Sequence, residues 1–278
     1  MTVIEQMLAR YPGDDQSRAL ALREVMQELA LVGLQGGGFF DRAAFYGGTC
    51  LRIFYGLPRF SEDLDFSLLE TDRDFSLEPY FRAIQDEFTA FGFEVSLSAK
   101  RKSMDSDIEL AFLKKSSSLY DLTVKGQKAV KIKLEVDKDP PLRFRTEERL
   151  LIQPYSFYTK CFALPDLFAG KMHALLFRAW GNRVKGRDWY DFEWYVRHGH
   201  PLNLAHFAER GFQSGDLSQR EIGLPEFKAL LERRIETLDI RSARDDVVRF
   251  VPDPKALDIW SRDYFSQLVG MIRFDGAS

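Results

Sequence analysis

Cysteine is nearly absent from this chain: Cys50 and Cys161 are the only two in 278 residues. Two distant thiols cannot form a disulfide framework and lack the close spacing of a structural zinc site, so both are read as reduced. Histidine is almost as scarce. His173, His198, His200 and His206 include no pair flanking a glutamate on one helical turn, which argues against a zinc hydrolase. No apolar run is long enough to cross a bilayer, and the opening MTVIEQMLARYPGDD carries acidic residues where a secretion signal would be basic and then apolar; the expectation is a cytoplasmic protein. Charge of one sign is also missing. The net value of −3 means that a nucleic-acid partner would need a local basic patch rather than a cationic surface.

What is present is ordinary globular material, 45% hydrophobic and 29% charged, in a length that suits one large domain or two modest lobes. Leu22, Val25, Met26, Leu29 and Val32 form a helical apolar stripe over 15–34, stopped by Gly36, Gly37 and Gly38. A strand is expected over 43–46. Gly47 and Gly48 then make a turn, with Thr49 as the N-cap of a helix carrying Leu51, Ile53 and Phe54. Phe66 and Leu68 alternate with Asp63, Asp65 and Ser67 as on a half-buried strand, and a helix is expected over 77–91.

From 93 to 137 the period becomes two: FEVSLSA, DIELAFL and VKIKLEVD predict a mixed or antiparallel sheet, ended by Pro140-Pro141. Residues 143–158 read as a connection with one short strand. Beyond Pro165 the pattern is helical, at about 165–180, 188–198, 203–211, 224–239 and 255–271, so the second lobe is expected to be all helix. The fold class is α+β, with lobes 1–160 and 161–278. Lys100-Arg101-Lys102 and Lys114-Lys115 read as solvated turns.

The chemistry is concentrated in YGGTCLRIFYGLPRFSEDLDF, residues 46–66. Gly47 and Gly48 let a backbone approach phosphate oxygens, and the following helix start offers unpaired N–H groups and a positive dipole end. Thr49 adds a hydroxyl. On a strand, Asp63 and Asp65 point to the same side, and two adjacent carboxylates repel unless a cation lies between them. Hard oxygen ligands favour Mg2+ or Mn2+. An isolated Asp-x-Asp is also an ordinary polar strand face. The strand KIKLEVD buries Ile132, Leu134 and Val136 and shows Lys131, Lys133, Glu135 and Asp137 on the other side, so Glu135 or Asp137 can supply a third carboxylate. Mid-strand Glu135 is preferred, with a solvated Lys/Glu face as the alternative. Lys171 stands on an otherwise apolar helix and suits either a triphosphate or solvent. Asp188 and Asp191, three apart in KGRDWYDFEWYV, share a helical face, and Asp188 also suits an N-cap.

Taken in order, GGTCLRIFYGLPRFSEDLDF, KIKLEVD, Lys171 and Lys185-x-x-Asp188-x-x-Asp191 resemble the AbiEii family of nucleotidyltransferase toxins, which includes the MenT toxins. One departure is Thr49 where the family pattern has serine; the hydroxyl is kept. The resemblance implies a polymerase β-like nucleotidyltransferase lobe with mixed sheet, a helical C-terminal lobe and a cleft between them. It implies a toxin of a bacterial toxin-antitoxin or phage-defence pair, with a cognate antitoxin and with nucleotides added to the 3′ end of tRNA. The expected catalytic residues are Asp63, Asp65, Glu135, Lys171, Asp188 and Asp191. Gly47, Gly48, Thr49, Ser61 and Lys171 are expected to bind the nucleoside triphosphate, and Asp63, Asp65 and Glu135 to hold Mg2+ or Mn2+. Transfer to a protein or small molecule, or a catalytically silent module that grips RNA or protein, are the alternatives.

Overall fold

A computed structural model describes residues 1–11, 15–99, 117–125, 130–178 and 184–276. The chain divides into two compact units, the first comprising Met1–Gly56, Phe60–Pro140 and Thr146–Cys161, the second Leu57–Arg59, Pro141–Arg145 and Phe162–Ser278.

The first unit holds a seven-stranded mixed sheet in the order β3-β4-β5-β2-β1-β7-β6, from β1 (Ala43–Tyr46), β2 (Leu64–Leu68), β3 (Val95–Ala99), β4 (Ser117–Val124), β5 (Val130–Asp137), β6 (Thr146–Leu151) and β7 (Phe157–Phe162). β2 runs parallel to β5, and β1 parallel to β7; β1–β2, β3–β4 and β4–β5 are antiparallel. The expected alternation is present. Leu64, Phe66, Ile132, Leu134 and Val136 are buried, and Phe66 packs against Phe39 and Phe45 with ring centroids 4.9 and 5.2 Å away. DIELAFL and both short basic clusters fall outside the described residues.

Among the described residues four α-helices accompany the sheet: α1 (Val3–Leu8), α2 (Asp15–Gly36), α3 (Gly47–Tyr55) and α4 (Phe81–Ala90). In α2 every residue from Val25 to Leu34 is buried, so the apolar stripe expected there is part of a stretch buried on all sides. α2 crosses α4 closely, because a Cβ on Gly33 would stand 2.6 Å from the Ile84 Cα. Two expectations change. Residues 143–158 yield β6 and the start of β7 rather than one strand, and the helix expected from 77 begins as a 3-10 turn at Glu78–Tyr80.

The second unit contains α5 (Leu164–Phe177), α6 (Gly186–Arg197), α7 (Leu204–Ser214), α8 (Leu224–Glu236), α9 (Ile240–Val247) and α10 (Arg262–Met271). It is not all helix. β8 (Pro201–Leu202) and β9 (Arg273–Phe274) pair in parallel as a small second sheet. The long helix expected at 255–271 is divided, because Ser261 caps α10 by accepting the Tyr264 N–H, leaving Pro254–Leu257 as a separate 3-10 turn. No described helix is long and apolar enough to cross a membrane.

Candidate active site

β1 delivers the glycine turn. Tyr46 pairs with Asp65 across the β1–β2 ladder, and the next residue, Gly47, takes φ +81°, a left-handed conformation that L side chains avoid. A second reason for glycine is contact. A Cβ at Gly47 would lie 3.1 Å from the Asp65 Cβ and 3.2 Å from its Cγ, so the absent side chain makes the room that the Asp65 carboxylate fills. Helix α3 begins at Gly47 itself, with Tyr46 as its N-cap and no side-chain cap bond. Thr49 is therefore not the N-cap; it lies buried in the first turn, where its hydroxyl donates to the Asp63 carbonyl. This bond ties the helix start to the backbone of the aspartate pair.

Asp63 immediately precedes β2, and Asp65 is its second residue. The segment leading to them is moored on α2: Arg23 bonds Glu62 at 2.9 Å, and the Gln27 amide donates to the Ser61 carbonyl at 3.4 Å. In the parallel ladder Asp65 stands beside Glu135, and continuing the register by one residue sets Asp63 across from Lys133. Lys133 reaches along its own strand to Glu135, Nζ to Oε2 2.8 Å. Burial works against charge on this ammonium, yet Glu135, Asp63 and Asp65 outweigh it and hold its pKa above the usual lysine value. Gly47, Asp63, Asp65, Glu135 and Lys133 thus form one neighbourhood. Asp137 occupies the same face two residues on, opposite Ser67 in the ladder.

Among the described residues, no group of three or more His, Cys, Asp or Glu side chains is gathered as a ready metal cage. Asp63 and Asp65 remain a donor pair suited to one hard cation, and Glu135 gives an oxygen to Lys133. Lys133, missed in sequence as a member of the site, was visible only as one of the four outward residues of KIKLEVD.

Lys171, Asp188 and Asp191 gather as a second group, inside the helical unit. The Lys171 ammonium bonds Asp188 at 2.7 Å and Asp191 at 2.9 Å. Asp188 is not an N-cap, since Lys185 holds that position. The fourth member, Arg59, belongs to no motif that would single it out. Its Nε and Nη2 each meet an Asp191 oxygen at 2.6 Å, a bidentate pair with both side chains almost wholly buried. For Asp191 burial raises the pKa, but Arg59 and Lys171 prevail and hold it below the usual carboxylate range. For Lys171, burial lowers and the two aspartates raise, with the aspartates prevailing.

A family model described as Nucleotidyl transferase AbiEii toxin, Type IV TA system, matches residues 29–267. The chain belongs to the AbiEii nucleotidyltransferase toxin family. It is accordingly a nucleotidyltransferase enzyme. Solved structures agree on the fold of this AbiEii protein. JHP933 from Helicobacter pylori is similar with TM-score 0.53 and 16% identity, over 93% of this chain and 90% of that one. MenT4, a nucleotidyltransferase toxin from Mycobacterium tuberculosis H37Rv, is similar with TM-score 0.52 and 16% identity, over 98% and 99% of the two chains. No curated protein matches the AbiEii chain in sequence.

Proposed function

We propose that this enzyme transfers a nucleoside monophosphate from a nucleoside triphosphate to the 3′ end of tRNA, as the toxin of a toxin-antitoxin or phage-defence pair with a cognate antitoxin. The acceptor hydroxyl attacks the α-phosphorus in line, a new P–O bond forms, the bond to the β-phosphate oxygen breaks, and pyrophosphate leaves. The observation that supports this reading is the contact of the Gly47 turn with Asp65 beside Glu135, a glycine turn at a helix start next to carboxylates.

Asp63 and Asp65 would hold a divalent ion, Mg2+ or Mn2+, with Glu135 as the further carboxylate; such an ion, when bound, supplies positive charge to the triphosphate and helps to ionise the attacking hydroxyl. Gly47, Gly48 and the first turn of α3 suit the phosphates, since helix-start N–H groups favour anions. Thr49, whose hydroxyl is given to the Asp63 carbonyl, acts by fixing that turn rather than by touching phosphate. Ser61 stands two residues before Asp63 and is assigned to the nucleotide. Lys171 is assigned to the β- and γ-phosphates. Asp188 and Asp191 act through it as positioning residues, because both Asp191 oxygens are already engaged with cations.

The test is incubation of purified protein with each labelled triphosphate, Mg2+ and total bacterial RNA. A discrete labelled RNA band that disappears with Asp65→Ala is expected. Equal labelling by Asp65→Ala overturns the site; labelling of protein or of a small molecule instead overturns the acceptor.

A further inference from the structure

Arg59 is 2% exposed, and a guanidinium is sunk that far only where its charge and its donors are answered. Asp191 answers both, as a wholly buried carboxylate that takes Nε on one oxygen and Nη2 on the other. We infer that Arg59 is a positioning residue for the triphosphate, acting through Asp191 and Lys171. This rests on the reading of Lys171 as the partner of the β- and γ-phosphates.

The contacts run in series through one atom. Asp191 Oδ2, which accepts from Arg59 Nη2 at 2.6 Å, is also the oxygen that Lys171 Nζ meets at 2.9 Å. The planar fork of the guanidinium fixes the carboxylate in plane and rotation, and the carboxylate then fixes one side of the ammonium. Asp188 fixes a second side at 2.7 Å. An ammonium has three N–H groups, so two anchors set the direction of the third. A lysine on its flexible four-carbon stem otherwise spreads over many rotamers, and holding it in place before nucleotide arrives removes an ordering cost from binding. Position and charge can be separated here. Arg59 and Lys171 balance Asp188 and Asp191, all four within the second unit, so Arg59→Lys loses the fork and keeps the charge.

The test is calorimetric titration of the full-length protein in Mg2+ with the α,β-methylene analogues of the common nucleoside triphosphates and with the matching monophosphates. Arg59→Lys is expected to bind the preferred triphosphate analogue more weakly, on the order of tenfold, because the ammonium is no longer held in one place. Its affinity for the monophosphate, which has no β- or γ-phosphate, should stay at the wild-type level. Arg59→Met combined with Asp191→Asn leaves Lys171 balanced by Asp188 and no charge buried unpaired, and it should show the same split even if Arg59→Lys does not fold. In a Lys171→Met background, Arg59→Lys should change triphosphate affinity no further, because the series of contacts ends at the ammonium. A folded Arg59→Lys with wild-type triphosphate affinity overturns the inference, as does an equal loss of both ligands or a full loss repeated in the Lys171→Met background. If Lys171→Met alone binds the triphosphate analogue as wild type does, it is the reading of Lys171 that has failed, and the role of Arg59 falls with it.

Discussion

Gly47 has no side chain because the Asp65 carboxylate stands where one would be, and because its backbone is left-handed. Gly47→Ala therefore meets two penalties, backbone strain of about 1–2 kcal/mol and displacement of Asp65. Transfer activity is expected to fall far more than stability, which paired measurements of kcat and Tm would show; an alanine enzyme with wild-type kcat would contradict the contact. Arg59 predicts the reverse balance at the level of folding. Arg59→Ala leaves Asp191 buried with one cation fewer, a loss of about 3–5 kcal/mol for a broken buried pair, readable in the denaturation midpoint of the helical unit. The contrast explains what the sequence could reveal at single positions. A glycine turn followed by alternating aspartates has a chemical signature, whereas Arg59 sits in a loop and acquires meaning only through a partner 132 positions away.

Elements built from one period were readable, and those set by tertiary contact were not. VKIKLEVD folds as β5 with its expected inward and outward faces, because strict alternation leaves only one way to bury Ile132, Leu134 and Val136. Thr49 was misplaced by one turn, because the helix begins on the backbone of Tyr46 and Gly47 rather than on a capping hydroxyl. α9 was missed and the last helix read as continuous, since Asp239 and Ser261 start helices whose ends are fixed by caps more than by a long apolar stripe. The packing of α6 on α9 depends on Gly186, where an added Cβ would collide with the Ala243 carbonyl. Gly186→Ala is expected to destabilise the helical unit by about 1–3 kcal/mol, as overpacking against backbone does. A thermal midpoint at or above that of wild type would show that these helices can part without cost.

At the scale of the whole molecule, the two units should answer acid in opposite directions. In the first, Glu28 is buried beneath Arg10 at 2.8 Å, and burial lifts its pKa to about 7. A carboxyl whose folded pKa is raised binds its proton more tightly when folded, so its contribution grows as pH falls from about 7 toward the unfolded value near 4.3. In the second, burial lowers the His206 pKa to about 3, so the folded state resists protonation and loses stability as pH drops below about 6.5. Between pH 7 and 5 each effect is about 2 kcal/mol. Scanning calorimetry should show the first unit's transition rising relative to the second on acidification. Glu28→Gln should remove the first unit's share, about half of that relative rise, and leave the part set by His206; an undiminished rise in Glu28→Gln would assign it to other groups.

Ligation by Asp65 is what the functional account depends on, and a change of metal preference tests it most directly. Asp65→Cys replaces a hard oxygen donor by a soft thiolate, which disfavours Mg2+ and favours softer ions. The expected result is a folded variant that transfers no nucleotide with Mg2+ and regains transfer with the thiophilic ion Cd2+. Full activity of Asp65→Cys in Mg2+, or none in any ion with the thermal transition intact, would contradict it.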